Sequence, residues 1–78
     1  MSRAKRLSTE MESVESAQME VERLKDELEL WLENMPENLQ NSAKAEGLQE
    51  AIDQLEEICD HLQEAFDASG NVNFPGMF

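Results

Sequence analysis

Seven carboxylates follow one another along the second half of the chain at alternating spacings of four and three residues. They are Glu46, Glu50, Asp53, Glu57, Asp60, Glu64 and Asp67. On an α-helix this spacing keeps the side chains on one side, with one carboxylate about every 5 Å along the axis. That interval is comparable to the phosphate spacing along one nucleic-acid strand. The row, called the acidic face below, is either a solvated surface or a binding surface for a basic protein.

The shortage of bases favours the binding interpretation. The chain has 18 acidic and 6 basic residues and a net charge of −12, and Lys44 is the only base after residue 25. Ordinary helix surfaces mix acids with lysine. This charge repels nucleic-acid phosphates and anionic membrane surfaces. The predicted partner is therefore a basic host protein surface, with no direct nucleic-acid binding and no membrane binding.

Two further side chains could do chemistry, and neither has supporting neighbours. Cys59 lies between apolar residues and is predicted to be a small buried hydrophobe, because a nucleophilic thiolate needs an electropositive setting. His61 lies among acids and lacks the spacing of a zinc-binding pair. The sequence contains no glycine-rich phosphate loop. We expect no catalysis, no cofactor and no metal site.

The elements that position these residues are predicted to be two helices, so the fold class is all-α. The first helix runs from about residue 8 to residue 33, with an earlier start left open, and it carries an apolar residue every seven positions. These are Leu7, Val14, Val21, Leu28 and Met35, flanked by Met11, Ala17, Leu24, Trp31 and Leu32. The flanking residues change sides along the helix, as expected of a straight helix compared with a strict heptad.

A break is predicted over residues 34–42, because Pro36 disfavours helix at the residue before it. Asn41 or Ser42 is the expected N-cap of a second helix over residues 43–69. Its apolar side has three positions in seven, the width of a helix in a bundle. Gly47 is expected to permit close helix approach, and Gly70 to end the helix in the left-handed conformation.

The predicted organisation is a basic N-terminal arm over residues 1–7, a helical hairpin over 8–69 and an apolar C-terminal tail over 70–78. The tail has two interpretations. It either packs over the open end of the hairpin, against Leu7 and Met11, or docks into another protein. Its candidate docking residues are Val72, Phe74, Met77 and Phe78.

Self-association is expected, because a single core of this size rarely yields more than a few kcal/mol of stability. The simplest assembly is an antiparallel hairpin that dimerises into a four-helix bundle. A parallel coiled coil through the first helix is the rival. The predicted oligomer interface consists of Val14, Val21, Leu24, Leu28, Trp31, Leu48, Ile52, Leu55, Ile58, Cys59, Leu62 and Phe66. Trp31 is interpreted as a core or interface anchor.

The central run from Trp31 to Ser42 reads WLENMPENLQNS, and the tail contains Phe-Pro-Gly. Together they resemble small acidic coiled-coil proteins of bacteriophages and prophages. The resemblance carries no functional residues and no established activity, but it implies a context: small acidic phage proteins are similar in size and charge to inhibitors of host defence or of host DNA-binding enzymes. The same resemblance implies that the protein is located in the cytoplasm of a bacterial host.

These observations lead to two functional hypotheses. The first is a non-catalytic, phage-type binding protein whose acidic face occupies a basic site on a host protein, as a nucleic-acid mimic or inhibitor. The alternative is an oligomeric scaffold or assembly factor that binds through apolar helix surfaces and the C-terminal tail.

Overall fold

The computed structural model describes residues 2–75 of the chain and contains two long helices. Helix α1 spans Arg3–Glu33, a short 3-10 turn spans Glu37–Leu39, and helix α2 spans Ala43–Ser69. The two long helices pack against each other along their length, and residues 2–75 contain no β-strand. The backbone forms a rod of 68 × 15 × 12 Å. The predicted all-α fold and two-helix hairpin are confirmed.

Helix α1 begins earlier than predicted. Ser2 adopts an extended conformation, and its side chain accepts a hydrogen bond from the backbone N–H of Lys5 at 3.0 Å. This is the geometry of a serine N-cap, which stabilises the first turn of a helix. The prediction of a separate basic arm over residues 1–7 is therefore wrong from Arg3 onward, since these residues form the first turns of α1.

The contact between the helices is a seam with a strict seven-residue repeat. Its members in α1 are Leu7, Met11, Val14, Gln18, Val21, Lys25, Leu28 and Leu32, and Met35 continues the repeat just past the end of the helix. Its members in α2 are Ala45, Leu48, Ile52, Leu55, Cys59, Leu62, Phe66 and Ser69. Both runs consist of half-buried or buried residues at alternating spacings of three and four, the pattern of a coiled coil.

The predicted change of sides along α1 is wrong. Ala17, Leu24 and Trp31 are exposed, while Gln18 and Lys25 occupy the seam. A coiled coil keeps a seven-residue repeat in contact with its partner, so the seam does not follow the drift of a straight helix.

The turn is built as its sequence predicts. The N–H of Leu39 donates to the carbonyl of Pro36 at 2.8 Å, which closes the 3-10 turn. Of the two candidate N-caps of α2, Ser42 takes the role, and its hydroxyl accepts from the N–H of Ala45 at 3.3 Å.

The tightest packing lies next to this turn. Three described residues are buried: Ala45 at 3%, Leu48 at 8% and Ile52 at 4% exposure. All three are in the first half of α2, and α1 has no fully buried residue. A single hairpin therefore has a thin core that is concentrated at one end.

Two predictions about glycine are wrong. Gly47 is exposed, and a methyl group added there would meet nothing within 4 Å, so this residue permits no close helix approach. Gly70 has φ −70° and ψ −14°, which is right-handed helical backbone. The N–H of Gly70 instead donates to the carbonyl of Asp67 at 3.2 Å, and the hydroxyl of Ser69 donates to the carbonyl of Phe66. The helix therefore ends in a tightened final turn that needs no left-handed residue.

Candidate protein-binding surfaces

The acidic face lies on α2, and all seven of its carboxylates are exposed. Two of them are oriented by amides one turn earlier on the same helix. The side chain of Gln49 donates to Asp53 at 3.0 Å, and that of Gln63 donates to Asp67 at 2.9 Å. Neutral amides fix the direction of a carboxylate without cancelling its charge, so the face keeps its negative potential.

Ion pairs neutralise little of the acidic face. Within residues 2–75, the two salt bridges that reach it both come from His61, at 3.6 Å to Glu57 and 3.7 Å to Glu64. An imidazole contributes a full charge only when it is protonated. Arg23 and Lys25 are engaged with Glu20 and Glu29 of α1, at 3.0 and 3.9 Å.

One carboxylate of α1 acts on the same seam residue as a carboxylate of the acidic face. Burial raises the pKa of the Cys59 thiol, and the negative charge of Glu22 raises it further, as do those of Asp60 and Glu56. Glu22 of α1 and Asp60 of the acidic face therefore act on one atom in the seam. The other acids of the α1 row that begins at Glu22, which are Asp26, Glu29 and Glu33, are exposed like Glu22.

Cys59 itself lies half-buried in the seam, with its Sγ 3.9 Å from the carbonyl oxygen of Gln18. A thiol with a raised pKa stays protonated and is a poor nucleophile. This environment fits the predicted role of Cys59 as a small packing residue.

A second surface is defined by apolar residues that each directly precede a seam residue. It consists of Ala17, Leu24 and Trp31 from α1, and of Ala51, Ile58 and Ala65 from α2. We call this surface the apolar face. Its large members remain open to solvent, with exposures of 47% for Leu24, 48% for Trp31 and 44% for Ile58.

One contact shows that the two halves of the apolar face lie on the same side of the hairpin. The ammonium group of Lys44, which precedes the seam residue Ala45, is 5.1 Å from the centre of the Trp31 ring. Lys44 thus continues the α2 half of the apolar face towards the turn and joins it to the α1 half through a cation–π contact.

The predicted oligomer interface divides into two groups. Nine of its residues pack in the seam within one chain: Val14, Val21, Leu28, Leu48, Ile52, Leu55, Cys59, Leu62 and Phe66. The remaining three, Leu24, Trp31 and Ile58, belong to the apolar face. Trp31 is therefore not a core residue of the hairpin, and its role as an interface anchor stays a prediction.

The described part of the tail lies at the open end of the hairpin. Val72 and Phe74 line a groove of about 530 Å³ together with Leu7, Met11 and Phe66. Val72 and Phe74 both remain exposed, at 51% and 38%, so packing on the hairpin and docking into another protein both stay predictions. The other two predicted tail residues, Met77 and Phe78, lie outside the described residues.

Three polar residues at the helix interface were missed by the sequence interpretation. The side-chain amide of Gln18 donates to that of Gln63 across the two helices at 3.0 Å, and Lys25 is half-buried in the seam. The strict alternation of four and three residues from Leu7 to Met35 passes through positions 18 and 25. This repeat could have identified Gln18 and Lys25 as seam residues.

Within residues 2–75, no helix combines the length and apolar character that crossing a membrane requires. Comparison of the chain with protein-family models, with curated proteins and with solved structures found no match.

Proposed function

We propose that this protein acts by binding, without catalysis, and that its acidic face engages a basic surface on a protein partner. The proposal is carried by one observation. Seven exposed carboxylates extend over about 32 Å of helix, while Arg23 and Lys25 pair with carboxylates of α1 instead.

The partner that fits this surface is a nucleic-acid-binding protein. Its basic groove is shaped for regularly spaced negative charges, and the carboxylates repeat at an interval near that of phosphates. Opposite charges steer the encounter and set the orientation of the complex. The protein would then act as a nucleic-acid mimic, competing for the site. A bacteriophage origin, a host-defence target and a cytoplasmic location in the host are parts of this proposal.

The proposal includes self-association into a four-helix bundle. A hairpin with three buried residues has little core of its own, and small helical scaffolds often compensate by oligomerisation. Such an assembly, or a partner, would bury four of its exposed hydrophobic side chains: Leu24, Trp31, Ile58 and Phe74.

A second candidate function is that of a scaffold or assembly factor. The exposure of Leu24, Trp31 and Ile58 on one face favours it, because contiguous apolar surface marks interaction sites. In this case apolar contacts and the tail hold the partner, and the acids serve solubility.

Charge reversal on the acidic face tests the first candidate. The variant carries Glu50→Lys, Asp53→Lys, Glu57→Lys and Asp60→Lys. The control variant carries the same charge change elsewhere, as Glu10→Lys, Glu12→Lys, Glu27→Lys and Glu37→Lys. We expect the wild type and the control to capture a nucleic-acid-binding protein from a bacterial lysate, and the acidic-face variant to lose it. DNA should displace the captured protein, and added salt should weaken capture.

Circular dichroism of each variant checks that the helices persist. Equal capture by both variants would refute the acidic face as the binding surface. Capture that resists salt and disappears on deletion of residues 72–78 would support the scaffold instead.

A further inference from the structure

We infer that a second copy of this chain covers the apolar face, and that a two-fold axis passing beside Leu24 relates the two hairpins. The inference rests on the self-association included in the proposed function and specifies its surface and geometry. It does not depend on the acidic face. Four observations carry it: the excess surface of the hairpin, the distribution of charge, the register of the helices and the arrangement of large and small side chains.

The hairpin exposes more surface than a compact protein of its mass. Its accessible area is 6192 Å², whereas a folded monomer of 8.9 kDa is expected to expose about 4,800 Å². The excess is about 1,400 Å² per chain. Two chains that each buried this area would form an interface of about 2,800 Å², within the range of permanent homodimers.

The distribution of charge favours the apolar face as the contact surface for a second copy. With a net charge of −12, two chains repel each other wherever their carboxylates meet. The apolar face contains no acid, and Lys44 lies at its end. The acidic face and the α1 row beginning at Glu22 lie on other sides of the helices. The apolar face is therefore where another acidic hairpin can approach at the lowest electrostatic cost.

The register of the hairpin gives the order of residues along the apolar face. Gln18 lies level with residues 59–63, because it contacts both Cys59 and Gln63. Counting from this level along two antiparallel helices gives the order Ala65, Ala17, Ile58, Leu24, Ala51 and Trp31. Successive positions come from alternate helices and are separated by about 5 Å. Three large side chains and three alanines therefore share a single strip.

This order is self-complementary under a two-fold rotation centred on Leu24. Leu24 then meets Leu24 of the second copy, Ile58 meets Ala51, and Trp31 meets Ala17. Away from the axis, the large Ile58 and Trp31 each face an alanine, which favours interdigitation of the two layers. A surface that matches itself in this way fits the isologous interface of a two-fold dimer. This match is the reason for choosing a second copy over an unrelated partner.

The decisive experiment measures the solution mass of the full chain over a range of concentrations. We expect the wild type to have twice the chain mass of 8.9 kDa. The variant Leu24→Glu with Ile58→Glu would place two charges from each chain in the interface, and should raise the dimer Kd on the order of 100-fold or more. Its helices should persist, because both positions are already half open to solvent in the single hairpin.

A matched control uses Met19→Glu with Leu30→Glu. These residues are equally exposed in α1, at 54% and 58%, but lie outside the apolar face. The control should retain the dimer. A monomeric wild type would overturn both the inference and the proposed self-association. A dimer weakened by the control as much as by the apolar-face variant would overturn the inference alone.

Cross-linking tests the position of the axis. In a Cys59→Ala background, Leu24→Cys should form an intermolecular disulfide rapidly under mild oxidation, because the two copies of residue 24 meet at the axis. Met19→Cys should react slowly in the same background. Equal rates at positions 19 and 24 would rule out an axis at Leu24.

Discussion

The apolar face and the acidic face are both regular rows of exposed side chains, yet they differ in what their regularity means. Any residue type placed beside a coiled-coil seam repeats at spacings of three and four, so the spacing alone is imposed by the helix. The informative property is composition. On the acidic face it is the absence of compensating bases, and on the apolar face it is the presence of leucine, tryptophan and isoleucine where polar residues would suffice.

The two faces also make opposite demands on a partner. The acidic face attracts basic surfaces over a distance and depends on low salt. The apolar face acts only on contact and gains from removing area from water. A chain with both can bring two copies together through one surface while presenting the other to a different protein.

The largest expected effect separates the apolar face from the seam beneath it. Ile52 and Ile58 are on the same helix, but Ile52 is 4% exposed in the seam and Ile58 is 44% exposed on the apolar face. Ile52→Ala should lower the free energy of unfolding by about 2–5 kcal/mol at any concentration, because it leaves a cavity. Urea unfolding measured by circular dichroism provides the values.

Ile58→Ala should behave differently. It should have little effect in dilute solution and a larger effect as protein concentration rises, because stabilisation by a partner copy follows mass action. A loss for Ile58→Ala that matched Ile52→Ala at high dilution would show that Ile58 supports the single hairpin.

A smaller effect is expected at the turn end of the apolar face. Lys44→Gln removes the cation 5.1 Å from the Trp31 ring and should cost about 0.5–1 kcal/mol. Lys25→Gln provides a comparison in which a lysine is lost from the seam. The fluorescence of Trp31, the only tryptophan, should change for Lys44→Gln. An unchanged spectrum would indicate that the ring and the ammonium group do not interact in solution.

The smallest effect concerns the carboxylates near Cys59, and it is measured as the alkylation rate of the Cys59 thiol. Since burial and nearby carboxylates raise the pKa of its thiol, the folded chain holds this proton more tightly than the unfolded chain. The resulting stability is fully present below the ordinary thiol pKa, and is lost as pH rises through the raised value. Alkylation of folded Cys59 should therefore be slow near neutral pH and accelerate in alkaline solution.

Glu22→Gln should lower the pKa of the Cys59 thiol and speed alkylation at a fixed pH. Glu20→Gln is the control, because Glu20 is paired with Arg23 and is not among the charges that act on Cys59. Equal acceleration by both variants would mean that general net charge, and not the position of Glu22, governs the thiol.

The sequence predicts α2 well and α1 less well, for a physical reason. The α2 seam from Leu48 to Phe66 is apolar throughout apart from the small Cys59, so its hydrophobic period is its contact period. The α1 seam contains Gln18 and Lys25, while Leu24 and Trp31 lie beside it. Hydrophobicity alone therefore assigns contact positions to residues that lie beside the seam. The correct positions follow only when α1 is required to keep the same seven-residue repeat as its partner helix.

The candidate surfaces divide in the same way. The acidic face could be located from sequence because it requires only a single helix. The apolar face could be located only in part. Its large members Leu24, Trp31 and Ile58 are predicted as interface residues, but their arrangement is shared between two helices and depends on the antiparallel register. The contact between Lys44 and Trp31 supplies that register near the turn, and the bond between Gln18 and Gln63 supplies it near the middle. The sequence leaves the start of α1 open, because its signal is the single cap at Ser2.

The concentration of buried residues at Ala45, Leu48 and Ile52 has a consequence for how the chain folds. These residues lie within about ten positions of the turn, so they meet α1 by closing a short loop, which is fast and entropically inexpensive. Contacts between the helices would then form first at the turn and extend towards the open end. Amide hydrogen exchange should be slowest beside the turn and fastest near Leu7 and Phe74. Proteolysis should likewise begin at the open end, where the last contacts form and the first are lost.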